Sequence, residues 1–228
     1  MRPKVLVTRA EPGASRTAAR LEALGFEPVL APTSTIEPLQ VAIELNPGES
    51  LALTSPNGAM AAGRLLSTRE PNVFAVGDAT ADTARAIGFT QVTSAQGDGA
   101  GLASAIAEAG VDSILHIRGR DQAFDLVSAL STQGIKARSV IAYIAQPAPA
   151  LPDTALEALD QGALVLIHSA KGGERFVTLC PSSAALHRYA VISEAAATPL
   201  RAAGATRLSV SERPDETALL KAVEIALS

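Results

Sequence analysis

Short, nearly unbroken apolar runs recur along this chain, each followed by a segment of helical spacing, and no other feature narrows the fold so far. The runs span residues 4–8, 27–31, 51–54, 73–76, 91–93, 113–117, 137–142, 163–168, 189–192 and 206–210. Most do not alternate apolar with polar, which is the pattern of strands covered on both faces in a parallel sheet. Between them, sets such as Ala18, Leu21 and Leu24, or Leu126, Val127 and Leu130, put apolar side chains on one helical face. Gly25, Gly88, Gly110, Gly134 and Gly204 stand where a helix would close in a left-handed C-cap. Alternating strands and helices with short connections predict an α/β fold of parallel sheets with right-handed crossovers.

Ten strands would make one very wide sheet, and an internal repeat argues for two smaller ones. Val5-Leu-Val-Thr-Arg9 has a counterpart in Ile114-Leu-His-Ile-Arg118, and Leu53-Thr-Ser-Pro-Asn-Gly58 in Ile167-His-Ser-Ala-Lys-Gly172. Val76 through Arg85 to Gly88 is echoed by Ile192 through Arg201 to Gly204. Residues 31–38 and 143–152 break the rhythm; both are rich in proline, which stiffens linkers and ends elements. Five runs lie between these stretches and five outside them. Residues 36–145 are therefore expected to form a continuous domain inserted into a discontinuous one, 1–35 plus 146–228, with the chain crossing between them twice.

Composition removes several functions. Aromatics at 3%, with no Trp, leave little to stack single-stranded nucleic acid on. A formal net charge of -4 offers no electrostatic footprint for DNA or RNA, so an anionic ligand would have to be held by local features. No apolar run nears the roughly 20 residues needed to cross a bilayer, and residues 1–7 lead into a strand without a signal-peptide core. Cys180 is the one cysteine, lies in an apolar, helix-like context and reads as a packing residue in a reducing compartment. A soluble, cytoplasmic protein with neither nucleic-acid nor membrane partners is expected. With no obvious apolar interface helix, it is expected to be a monomer.

In open α/β sheets, ligands bind outside the carboxyl ends of the strands. Here those ends read Thr8-Arg9-Ala-Glu-Pro-Gly13, Thr54-Ser55-Pro-Asn57-Gly58, Gly77-Asp78-Ala-Thr80, Gly97-Asp-Gly99-Ala-Gly101, Arg118-Gly119-Arg120-Asp121, His168-Ser169-Ala-Lys171-Gly172-Gly173 and Ser193-Glu194. Each is read as opening a helix, so that free N–H groups and the positive end of the dipole face a bound anion. Ordinary N-capping accounts for any one of them taken singly. Cofactor and metal signatures are missing: Gly97 to Gly101 is not G-x-G-x-x-G, there is no Walker A, and His116, His168 and His187 lack metal-ligand spacing. His116 and His168 read as hydrogen-bonded structural residues. His168 and Ser169 are no nucleophile pair, because neighbouring strand residues face opposite sides.

Taken in order, Thr8-Arg9, Thr54-Ser55-Pro56-Asn57, Val76-Gly77-Asp78-Ala79-Thr80-Ala81, Arg118-Gly119, a strand ending at Tyr143, His168-Ser169-Ala170-Lys171-Gly172 and Arg213-Pro214 before a terminal helix resemble the uroporphyrinogen-III synthase family. The resemblance covers essentially the whole chain. It implies two flavodoxin-like domains with parallel sheets, facing each other across a cleft and joined by a two-stranded linker. It also implies a cyclising hydro-lyase of tetrapyrrole and haem biosynthesis that needs no cofactor and no metal. The implied substrate is hydroxymethylbilane, a linear tetrapyrrole polycarboxylate, closed to uroporphyrinogen III with loss of water and inversion of ring D through a spiro intermediate. By the same resemblance Tyr143 is the proton donor to the departing hydroxyl, its other reading being an aromatic cover for the linker. Thr8, Arg9, Thr54, Ser55, Asn57, Thr80, Arg118, Gly119 and Ser169 would meet the substrate, the other reading of Arg9 and Arg118 being a salt bridge to a neighbouring acid.

The chain departs from the family pattern in three places. Ser193 and Ala196 replace a glycine and a threonine after the ninth run, Ala123 stands where a basic residue is common, and His168 where a small or aromatic one is usual. These departures leave open a catalytically inactive, two-lobed small-molecule-binding module of the same fold. A nucleotide-using transferase would need the phosphate loop that is missing.

Overall fold

The computed structural model describes residues 2–95, 97–181 and 183–227. The chain runs β1 (Lys4–Val7), α1 (Gly13–Ala23), β2 (Glu27–Leu30), β3 (Ser34–Pro38), β4 (Ser50–Leu53), α2 (Pro56–Leu65), β5 (Val73–Ala75), α3 (Asp78–Ala86), β6 (Val92–Ser94), α4 (Gly99–Glu108) and β7 (Ser113–Gly119). It continues with α5 (Leu126–Ser131), β8 (Lys136–Pro147), α6 (Asp153–Asp160), β9 (Leu164–Ile167), α7 (Ala170–Leu179), β10 (Arg188–Val191), α8 (Glu194–Ala202), β11 (Arg207–Val210) and α9 (Glu216–Leu227). Two compact units result: Met1–Thr35 with Gln146–Ser228, and Ile36–Ala145.

The first unit holds a sheet of order β11-β10-β9-β1-β2 with every neighbour parallel. Leu6, Val165, Ile167 and Val191 pack on one face against α6, α7 and α8 through Ala155, Phe176 and Leu200. Val5, Val7, Leu164 and Leu166 pack on the other against α1 and α9 through Leu21, Leu219 and Val223. Adjacent residues of one strand thus enter opposite cores, which is why the apolar runs are unbroken.

The second unit holds β3-β8-β7-β4-β5-β6, with β8, β7, β4, β5 and β6 successively parallel. Leu51, Leu53, Leu115 and Ile117 face α2 and α3, while Ala52, Phe74 and Ile114 face α4 and α5. Numbered within its unit, the first sheet has the flavodoxin-like order 2-1-3-4-5, and the second, leaving out β3, has 3-2-1-4-5. Matching β1 and β2 to β7 and β8, and β9, β10 and β11 to β4, β5 and β6, makes the two layouts identical. The repeated sequence motifs fall on those matched strands.

One strand, β3, lies in a stretch read from the sequence as a break in the rhythm. It occupies the edge of its sheet beside β8, where proline is tolerated because one row of backbone groups needs no ladder partner. All five glycines expected to close helices have positive φ, between 66° and 103°.

Candidate functional site

In the second unit the connections leave β4 and β7 in opposite directions, and the crevice outside their carboxyl ends is where an open α/β sheet binds ligands. Ser55 follows β4 as the N-cap of α2, its Oγ accepting from the Gly58 N–H at 3.0 Å, with Pro56 opening the helix. A Cβ on Gly58 would sit 2.8 Å from the Ile117 carbonyl oxygen, so only glycine lets α2 start this close to β7.

Tyr143 reaches the same spot through a bulge. The β7–β8 ladder pairs Arg118 with Ile141 and then Gly119 with Tyr143, leaving Ala142 as an extra residue. The bulge turns Tyr143 towards the core that already takes Val140 and Ala142. Its hydroxyl lies 2.8 Å from Ser55 Oγ, and its ring lies so close over Gly119 that a Cβ there would be 2.7 Å from Cε2. Burial pushes the phenol pKa up, opposed by hydrogen bonding from Ser55 and the Gly119 N–H. Tyr143 is therefore protonated at neutral pH, and both donors are placed to stabilise the phenolate it would leave behind.

Thr54 Oγ1 lies 3.0 Å from Nε2 of the buried His116. Arg118 folds back over its own loop, NH1 donating to the carbonyls of Gly119 at 2.9 Å and Arg120 at 3.1 Å. This loop does not open a helix directly, as the sequence suggested. Pairing with β8 extends β7 through Gly119, and α5 starts only after its cap, Asp125. Asn57 in the first turn of α2, and the buried Thr80 in the first turn of α3, make no side-chain hydrogen bond among the described residues.

The first unit has its corresponding crevice between β1 and β9. Ser169 caps α7 as Ser55 caps α2, accepting from the Gly172 N–H at 3.0 Å, and Ser193 caps α8. Thr8 Oγ1 donates to the Leu166 carbonyl at 2.7 Å, so its proton is committed inside the protein. Arg9 NH1 lies 3.0 Å from Glu216 Oε2, and Thr17 donates to Oε1 of the same carboxylate. Gly13 leaves room for this, since a Cβ there would meet the Arg9 guanidinium. His168 Nε2 is 3.3 Å from Glu216 Oε2 but outside hydrogen-bond geometry. Burial lowers the His168 pKa, opposed by the neighbouring Glu216 carboxylate. Burial would raise Glu216, but His168, Thr17 and Arg9 outweigh it and hold the carboxyl well below its ordinary value.

Thr54, Ser55, Asn57, Arg118, Gly119 and Tyr143 thus gather at one crevice with Thr80 on the neighbouring helix, and Thr8, Arg9 and Ser169 at the other. Sequence reasoning missed Glu216, whose only local signal is an acid in the first turn of the terminal helix, and the partnership of His116 with Thr54.

The family profile for uroporphyrinogen-III synthase HemD matches residues 15–221. No curated protein matches the chain. Among solved structures, the uroporphyrinogen-III synthetase of Helicobacter pylori is similar with a TM-score of 0.68 at 16% identity, covering 100% of each chain. A mutant uroporphyrinogen III synthase of Thermus thermophilus is similar with a TM-score of 0.50 at 17% identity, over 99% of this chain and 98% of that one. At such identities these structures speak for the fold alone, whereas the profile spans nearly the whole sequence. The chain belongs to the uroporphyrinogen-III synthase family.

Proposed function

We propose that this chain, a lyase of porphyrin biosynthesis, closes hydroxymethylbilane to uroporphyrinogen III with Tyr143 as the proton donor. The observation that carries the assignment of Tyr143 is its hydroxyl, turned by a bulge to 2.8 Å from Ser55 Oγ at the strand-end crevice. The Tyr143 proton passes to the terminal hydroxyl of the substrate, the C–O bond breaks and water leaves. The resulting azafulvene cation is attacked by the substituted carbon of ring D, which forms the spiro intermediate. Its reopening and reclosure invert ring D, and the proton lost from that ring returns to the Tyr143 oxygen.

The acetates and propionates of the substrate are held by Thr54, Asn57, Thr80 and Arg118 in the second unit. Arg9 and the start of α7 at Ser169 hold them in the first. Helix N-termini suit these anions, and bringing the two chain ends together contributes several kcal/mol by proximity, within a general ceiling of about 7–11 kcal/mol. The units 1–35 plus 146–228 and 36–145 are taken as the two domains. The enzyme works as a monomer on the free tetrapyrrole in the cytoplasm.

The test is product identity. Freshly generated hydroxymethylbilane is supplied, the products are oxidised and the porphyrin isomers resolved. Type III should dominate; type I alone, the isomer that forms spontaneously, would overturn the assignment.

A further inference from the structure

His116 is a histidine that the proposed chemistry does not use, and it sits directly behind a residue that the chemistry does use. It lies on β7 with 1% of its surface exposed. Nε2 is 3.0 Å from Thr54 Oγ1, and Nδ1 is buried with no hydrogen-bond partner among the described residues. Two charged groups bear on the ring: Arg118 from the same strand and Asp125 from the start of α5. Burial, with Arg118 second, lowers its pKa to about 4, so at neutral pH the ring carries one proton.

That proton has two possible places. On Nδ1 it would be an orphaned buried N–H, the kind of group folded proteins almost never leave unpaired, and removing such a donor from water costs about 1–3 kcal/mol. On Nε2 it has an acceptor in Thr54 Oγ1, and Nδ1 is left as a bare acceptor, the less rare defect. We infer that His116 is a positioning residue whose Nε2–H donates to Thr54 Oγ1. The Thr54 O–H, denied the histidine as acceptor, is thereby left free to donate to a carboxylate of the substrate. The inference rests on Thr54 being one of the substrate-holding hydroxyls proposed above. A histidine in the opposite tautomer would absorb the Thr54 proton and present only lone pairs, which repel a carboxylate.

Two measurements test this, and the first does not depend on the reaction. In a long-range ¹H–¹⁵N spectrum of the intact protein near pH 7, His116 should show the proton on Nε2. A proton on Nδ1, or on both nitrogens, overturns the inference whatever the enzyme's activity. The second uses amide mimics of each nitrogen. Gln at this position reaches where Nε2 lies and can still donate to Thr54, whereas Asn reaches only as far as Nδ1. His116→Asn should raise the KM for hydroxymethylbilane about tenfold with kcat nearly unchanged, as loss of one charge-assisted contact common to ground and transition states would do. His116→Gln should restore most of that loss, and in a Thr54→Val background the two variants should no longer differ. Equal KM in the Asn and Gln variants, or a difference that persists in the Thr54→Val background, overturns the inference. If the wild type yields only type I product, the proposed function fails, and the spectrum alone still decides the tautomer.

Discussion

Tyr143 and Ser55 share a hydrogen bond whose direction decides what the phenol can do. Ser55 Oγ already accepts from the Gly58 N–H, and the Gly119 N–H approaches the phenolic oxygen. With Ser55 donating onward to Tyr143, the phenolic proton is free for the substrate and the phenolate is met by two donors. Replacing Tyr143 by Phe should lower kcat by roughly 10²–10⁴-fold while leaving the thermal midpoint nearly unmoved; unchanged turnover would remove the tyrosine from the mechanism. Gly119→Ala would place a Cβ against the ring, at 2.7 Å from Cε2, and so should displace Tyr143 and cost activity on a similar scale. Because both changes act through one phenol, the double variant should lose little more than Tyr143→Phe alone, and full additivity would show Gly119 acting elsewhere.

At the scale of elements, α9 is tied to α1 and β1 by charge as well as by its apolar face. Glu216 meets Arg9 and Thr17, and Arg20 donates to Thr217 at 2.9 Å. Both partners of the Arg9–Glu216 pair are partly exposed, at 30% and 21% of their side-chain surface, so the cost of breaking it sits below the buried-pair range. Glu216→Gln should destabilise the protein by about 2–3 kcal/mol in chemical denaturation. The folded state holds this carboxyl down to about 2 against an ordinary 4.5. Its stabilisation is therefore whole above pH 4.5, and is lost as the pH falls from there towards 2, where the folded carboxylate finally takes up its proton. Over that window the wild type should lose its advantage over Glu216→Gln, and a constant difference down to pH 2 would show that the contact is not ionic. The second unit carries a similar clamp, Arg138 to Glu49, with Nε and NH2 at 2.8 and 2.6 Å from the two carboxylate oxygens. It ties the segment before β4 to the start of β8.

For the whole molecule, one strand layout is used twice with the chain entering at different points, so that β1-α1-β2 opens the first unit and β7-α5-β8 ends the second. Both cores of the second unit are made of residues within 36–145. That segment, expressed alone, should unfold in one cooperative transition; a non-cooperative melt would mean that the rest of the chain completes it. Ten of the eleven strands were legible: β1, β4, β5, β7, β9 and β10 because they are buried on both faces and so apolar nearly throughout, and the less buried β2, β6, β8 and β11 from their place in the alternation with helices. The eleventh, β3, sits at an edge where no such demand acts, and its prolines disguised it. Helix starts at Ser55, Ser169 and Ser193 were legible for a similar reason: a cap satisfies its own helix within three residues. The sequence by itself therefore determined whatever is local or periodic, namely the strands, the caps, the left-handed glycines and the duplication. Only the tertiary structure decided that Ser55 meets Tyr143, 88 residues away, that Glu216 answers Arg9 across 207, and that His116 stands behind Thr54. His116 and Tyr143 reach their partners through sheet register and one bulged residue, and a shift of a single position, invisible in composition or spacing, would turn either side chain to the opposite face, while Arg9 and Glu216 meet only because α9 packs on the sheet beside α1.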